Sequence, residues 1–236
     1  MNVLSLSERL TAVAAHLPES AHFVDVGSDH AYLPCYVCLQ DPSSRAIAGE
    51  INHGPYKSAE KQVKLQGLTD RIEVRKGDGL AVVEPNEVKQ VVIAGMGGPL
   101  IASILEQGKD KLGQVEQLIV QPNIDARVLR KWFLANGFVL QTEEILEEAG
   151  HIYEVLVAVR AGKELYDEDA IIRDKQLLFG PQLLQEKNAA FRAKWQEYKR
   201  KLERNVANMQ RAQQVDEAKL ASFKTELIWL EEELDD

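Results

Sequence analysis

Apolar residues along the chain gather in two kinds of run. Short, nearly continuous runs fall at Phe23–Val26, Ala46–Gly49, Ile72–Arg75, Val91–Ala94 and Leu118–Val120. Longer stretches with helical spacing separate them, at Tyr32–Leu39, Tyr56–Gln66, Leu100–Gly108 and Ala126–Asn136. A strand buried on both faces needs a continuous apolar run, so the alternation predicts an α/β fold with a parallel sheet covered by helices on both sides. Leu6–Leu17 reads as an amphipathic helix ahead of the sheet. Ser7 is its cap, Leu10, Val13 and Leu17 form its stripe, and Pro18–Ser20 ends it. After the last helix, Phe138–Leu146 and Ile152–Arg160 flank Glu147–His151, which contains Gly150. That pattern predicts an antiparallel hairpin at one edge of the sheet.

The pattern then changes. Ala161–Arg173 is polar, and Phe179–Gly180–Pro181 punctuates the chain soon after it. Beyond this point apolar positions keep coiled-coil spacing, first at Phe191, Trp195, Tyr198, Leu202, Asn205 and Met209, then at Leu220, Phe223, Leu227 and Leu230. The seam breaks around Gln213–Glu217, so two helices folded back on each other are expected, with a dimer through one long helix as the alternative. The reading is a domain over residues 1–160, a linker over 161–180 and a helical coiled-coil domain over 181–236.

Composition narrows the class. The chain has 236 residues, 45% apolar and 28% charged, which suits a globular protein with a full core. Met1–Leu10 carries charges and has no apolar core of a leader, and Val91–Leu105 is too short and too rich in glycine to span a bilayer. A cytoplasmic protein with no membrane partner is expected. Cys35 and Cys38 have the spacing of a redox pair or half a metal site, but nothing nearby completes a ligand set, and they read as two small buried residues. No metal site is expected. The net charge of −9 argues mildly against nucleic acid as a partner. Its distribution argues the other way locally: Lys187, Arg192, Lys194, Lys199, Arg200, Lys201, Arg204 and Arg211 face only Glu197 and Glu203 in their stretch, while the chain ends in the acidic EEELDD.

Candidate chemistry begins at the end of the first strand run, in DVGSDHAYLP (Asp25–Pro34). A dinucleotide loop would place a second glycine where this chain has Asp29, and a carboxylate there repels a pyrophosphate. S-adenosylmethionine carries a sulfonium and an ammonium and no phosphate, so an acidic loop attracts it. In this reading Asp25 meets the ammonium and Gly27 lets the backbone approach. Glu50, at the end of the second strand, holds the ribose, and Asp78 meets the adenine amine with Gly79 allowing close approach. These are acids at the carboxyl ends of successive strands, where open α/β sheets bind ligands. The fourth strand ends in IAGMGG, and Ala94–Gly98 forms a loop almost without side chains in which Gly97 and Gly98 are expected at positive φ. The Asn/Asp-Pro-Pro-aromatic turn of exocyclic-amine methylation is absent there, which favours a ring nitrogen as acceptor.

LSERL (Leu6–Leu10), DVGSDHAYLP, AGE followed by GPY (Ala48–Tyr56), RKGDGL (Arg75–Leu80), IAGMGG (Ile93–Gly98), VQPN (Val120–Asn123), LRKWF (Leu129–Phe133) and LFGPQLL (Leu178–Leu184) together resemble the bacterial TrmK family of tRNA (adenine-22-N1)-methyltransferases. The resemblance covers nearly the whole chain. It implies a class I Rossmann-like methyltransferase domain with a C-terminal helical coiled-coil domain, S-adenosyl-L-methionine as methyl donor and the D-arm region of tRNA as target. Carried over residue by residue, it implies a cofactor site of Asp25, Gly27, His30, Glu50, Asp78, Gly79, Gly95 and Met96, with Ser28, Ile51 and Ala94 counted beside them.

Asp29, His30, Tyr32 and Met96 are the candidates near the transferred methyl, with Asp29 or His30 as proton acceptor and Tyr32 or Tyr56 as a stacking platform. Trp132, Phe133 and Trp195 read as packing residues. Arg9, Lys57, Lys61, Arg127, Arg130, Lys131, Lys194, Arg200 and Arg204 are the candidate RNA contacts. A monomer is expected. A methyltransferase of a small molecule or protein remains the competing function, because one fold serves many substrates.

Overall fold

The computed structural model describes residues 3–212 and 214–234. The chain divides into two compact units, Met1–Glu144 with Tyr153–Leu165, and Ile145–Ile152 with Tyr166–Asp236.

The first unit is a mixed α/β layer structure. Strands β1 (His22–Val26), β2 (Arg45–Glu50), β3 (Ile72–Lys76), β4 (Gln90–Met96) and β5 (Gln117–Pro122) are parallel, and β6 (Val139–Glu148) and β7 (His151–Val159) complete a seven-stranded sheet in the order β3-β2-β1-β4-β5-β7-β6. The hairpin lies at the edge as expected, with β7 antiparallel to β5. Strand order reverses between β1 and β4, and that switch point is where such sheets open a ligand crevice. The helices between the strands are α2 (Tyr32–Gln40), α3 (His53–Leu65), α4 (Gly98–Gln107) and α5 (Ala126–Ala135), with α1 (Glu8–Ala15) ahead of them. Ser7 caps α1 by accepting the Leu10 N–H. Phe23, Val24, Val91, Val92, Ile93, Leu118, Ile119 and Val120 are fully buried, so the middle strands are covered on both faces.

Arg130 of α5 has no exposed surface. Its guanidinium pairs with Glu143 of β6 at 2.8 Å and Glu154 of β7 at 2.6 Å. This corrects the expectation of an RNA contact at Arg130, whose charge is spent tying α5 to the hairpin. Trp132, Phe133 and Trp195 are buried, as read, and the Trp132 indole N–H donates to Glu106 at 2.8 Å.

The second unit contains α6 (Ala170–Phe179), α7 (Leu183–Glu186), α8 (Ala189–Gln210) and α9 (Glu217–Leu234), with the hairpin tip 145–152. Helix α6 lies where the sequence reads as a linker. Asp169 caps it by accepting the N–H groups of Ile171 and Ile172, and Leu177, Leu178 and Phe179 are buried. Phe179, Phe191 and Trp195 form an aromatic cluster with ring centroids 4.5 to 6.2 Å apart. Helices α8 and α9 pack on each other, with the Tyr198 hydroxyl donating to the buried Glu226 carboxylate at 2.7 Å. Along α8 the buried positions are Ala190, Phe191, Trp195, Leu202 and Val206. Asn205 is exposed, so the seam follows the helical period past Leu202 and departs from the strict coiled-coil spacing. Gln213, at the expected break, and Asp235 and Asp236 of the acidic end lie outside the described residues.

Candidate active site

The site grows from four strand ends. β1 ends in Asp25 and Val26, and the chain turns at Gly27 with φ +73°. The N–H groups of Gly27 and Ser28 both donate to the Gly49 carbonyl, at 2.9 and 3.1 Å, which ties the turn to the end of β2. The Met96 side-chain methyl packs against Gly27 where a Cβ would stand, and the positive φ favours glycine there. Asp29, His30 and Ala31 then follow at φ +35°, +64° and +54°. Three successive non-glycine residues in the left-handed region are uncommon, and such strain concentrates at functional sites. It turns Asp29 and His30 outward, with side chains 72% and 45% exposed and 3.4 Å between His30 Nε2 and Asp29 Oδ1. The His30 ring stacks on Tyr32, the first residue of α2, at 5.4 Å.

Beneath this exposed rim lie two buried acids. Asp25 accepts a hydrogen bond from the Ser28 hydroxyl at 2.6 Å. Burial pushes its carboxyl up to about 7, against the Ser28 hydrogen bond and with the nearby Glu50 charge adding to the rise. Glu50 accepts the backbone N–H of Asp29. Its carboxyl is also raised, chiefly by burial, with the Asp29 N–H opposing and the Asp29 charge reinforcing. Two neighbouring carboxyls, both raised chiefly by burial, are poised to receive a positively charged ligand.

Asp78 follows β3 and stands exposed at the start of a short 3-10 turn, Gly79–Val82. With Gly79, Leu80, Ile104, Gln107 and Gly108 it lines a recess of about 260 Å³. Ile51, just past Glu50, is 53% exposed.

At the end of β4 the positive φ falls on Gly95 (+77°), whereas Gly97 has φ −71° and caps α4. The expectation of positive φ at Gly97 and Gly98 is corrected accordingly. Gly98 is needed for space: a Cβ there would collide with the Asp125 carbonyl. The register between β4 and β5 shifts between Ala94 and Met96, so Gly95 sits in a bulge. Two side chains without an assigned role in the sequence reading complete its bonding. Gln121, with no exposed surface, accepts the Gly95 N–H at 2.9 Å, and Asn123 donates to the Gly95 carbonyl at 2.8 Å. The VQPN stretch is visible in the sequence, but its pairing with Gly95 depends on strand register.

Of the remaining basic candidates, Arg9 is partly buried and donates to Gln121. Lys57 is exposed and pairs with Glu60 at 2.7 Å, and Tyr56 also donates to Glu60 at 2.7 Å. Arg127 is partly buried, while Lys61 and Lys131 are exposed. On α8, Lys194 lies 4.7 Å over the Trp195 ring and Arg200 and Arg204 are exposed. The acidic end of α9 pairs with Lys175 and Lys187 through Glu233, at 2.5 and 2.9 Å. Cys35 and Cys38 are fully buried, and burial raises their thiols to about 12 and about 11.

The model of the family described as TrmK, tRNA (adenine(22)-N(1))-methyltransferase, matches residues 23–232. A Bacillus subtilis (strain 168) protein named tRNA (adenine(22)-N(1))-methyltransferase is 52% identical over 195 residues, covering 83% of this chain and 82% of its own. The crystal structure of the B. subtilis M1A22 tRNA methyltransferase TrmK superposes with a TM-score of 0.91 at 44% identity, covering 98% of this chain and 100% of that one. A Streptococcus pneumoniae structure in complex with S-adenosyl-L-methionine superposes with a TM-score of 0.84 at 40% identity, covering 98% of this chain and 100% of that one. The chain belongs to the TrmK family, the tRNA (adenine(22)-N(1))-methyltransferases.

Proposed function

We propose that the chain transfers a methyl group from S-adenosyl-L-methionine to N1 of adenine 22 in the D-arm region of tRNA. The observation that carries this reading is the pair of buried acids, Asp25 and Glu50, beneath a glycine turn in a chain of this family. The donor supplies a methyl group on a positively charged sulfur. The chain's residues fit such a molecule: Asp25 takes its ammonium, Glu50 its ribose hydroxyls and Asp78 its adenine amine. Gly27 and Gly95 bring bare backbone to the reacting end, and Met96, lying on Gly27, borders it.

The acceptor nitrogen has an outward lone pair, so the chain's main task is positioning. An adenine inside a tRNA arm is out of reach until it leaves its stack, and local opening with the base turned into the crevice follows. Tyr32, held against His30, is the stacking platform, and Asp29 or His30 accepts the proton that the adenine amine later gives up. Arg200 and Arg204, exposed on α8, meet tRNA phosphates. The apolar positions of α8 and α9 close on each other within one chain, which supports a monomer. Among the described residues no helix is long and apolar enough to cross a membrane, and a tRNA substrate supports a cytoplasmic reaction.

Methyl transfer to an unmodified tRNA transcript, read by nucleoside mass spectrometry, tests the reading. 1-Methyladenosine should form, and should vanish when guanine replaces adenine 22. Cofactor binding without any methylated nucleoside would refute the substrate assignment.

A further inference from the structure

A bulge removes backbone groups from the strand ladder and leaves them to other partners. At Gly95 those partners are the side chains of Gln121, in β5, and Asn123, just past its end. The Gln121 amide oxygen accepts two donors, the Gly95 N–H at 2.9 Å and the Arg9 guanidinium. Two donors on one atom fix which end of the amide is oxygen. The amide nitrogen is thereby turned to Asn123 Oδ1 at 3.2 Å, and Asn123 in turn donates to the Gly95 carbonyl at 2.8 Å. The Asn123 backbone N–H donates to the Met96 carbonyl at 2.7 Å. Arg9 closes the set: its Nη1 stands 3.3 Å from where a Gly95 Cβ would be, and its guanidinium lies 5.2 Å over the Tyr153 ring.

We infer that Arg9 is a positioning residue of the methyl-transfer site: through Gln121 it holds the bulged Gly95 turn, and its charge is not used on tRNA phosphate. A guanidinium sandwiched between an aromatic ring and a glycine turn has little freedom to reach a backbone phosphate. Placed there, it donates to the one side chain that orients both polar groups of Gly95. The inference rests on the methyl-transfer reading above.

The test compares Arg9→Ala, Arg9→Lys, Gln121→Met and the double variant Arg9→Ala/Gln121→Met in the full chain, with an unmodified tRNA transcript. Arg9→Ala should lower kcat about tenfold or more. The KM for tRNA, the affinity for S-adenosylhomocysteine and the salt slope of tRNA binding should stay within error. Arg9→Lys, which keeps the charge and an ammonium donor but not the planar fork, should recover part of kcat. A residue acting only through Gln121 makes the double variant no slower than Gln121→Met alone. In isotope-labelled protein the Gly95 amide proton should shift in Arg9→Ala and Gln121→Met alike, a readout independent of activity. An unchanged kcat with raised KM and a salt slope shallower by about one would make Arg9 a phosphate contact and overturn the inference. Strictly additive losses, or an unmoved Gly95 resonance, would also overturn it. Failure of the wild-type chain to methylate tRNA is a separate result that sinks the functional reading before any variant is compared.

Discussion

Asp25 carries a carboxyl that is buried, hydrogen-bonded by Ser28 and close to a second acid. Its folded value near 7 against 3.8 for an ordinary aspartate means that the native state holds a proton the unfolded state has released between those limits. Its contribution to stability is therefore present below about pH 4 and is lost as pH rises to about 7. Removing the charge reverses that loss: Asp25→Asn should raise the melting temperature of the free protein at pH 8 and change it little at pH 4. Ligand binding carries the opposite sign, because an ammonium selects the ionised carboxyl. The affinity for S-adenosylhomocysteine should tighten about tenfold from pH 6 to pH 8 relative to Asp25→Asn, as titration calorimetry would read. Equal pH profiles for the two proteins would remove Asp25 from the ammonium site.

The β4–α4 turn and the α5–hairpin junction each depend on one residue that spacing alone leaves unexplained. Gly98 has an ordinary φ, yet its missing side chain is what lets the Asp125 carbonyl pass. Because the clash is with backbone, Gly98→Ala should cost about 2 kcal/mol, read by chemical denaturation. Methyl transfer should fall with it, since the neighbouring Gly95 turn moves. At the junction, Arg130 balances Glu143 and Glu154 in full burial. Arg130→Ala leaves two carboxylates without that partner, and a loss of about 3–5 kcal/mol in urea unfolding is expected. A loss under 1 kcal/mol would mean that the carboxylates take up protons or water at little cost. Neither arrangement is legible from local pattern. LRKWF places a basic residue on an amphipathic helix, and only the β6 and β7 registers bring two acids to it. Helix α6 was hidden for a related reason: Ile171 and Ile172 are 68% and 47% exposed, so its apolar residues do not mark one face.

For the molecule as a whole, charge distribution matters more than charge total. A chain of net −9 binds a polyanion only where basic side chains escape acidic neighbours. On α8, Arg200 and Arg204 are exposed and Lys201 pairs with Glu197, while Lys187, ahead of the helix, pairs with Glu233. Reversing Arg200 and Arg204 to glutamate should weaken tRNA binding and make its salt dependence shallower by about one per arginine lost. The affinity for S-adenosylhomocysteine should not change. A filter-binding series in salt would read both, and an unaltered slope would move the phosphate contacts to other residues.

What the sequence determined by itself is what local physics imposes. Strands covered on both faces must be apolar throughout, so β1, β2, β4 and β5 are visible as runs. Acids at the ends of β1 and β2 are visible because strand ends are, and their sign already selects a cationic ligand over a pyrophosphate. Positive φ at Gly95 instead of Gly97, the burial of Arg130, the helix inside the expected linker and the bonding of Gln121 and Asn123 to a bulge were decided by the tertiary structure. Each depends on which residues, far apart in the chain, are brought face to face, and side-chain period carries no record of that.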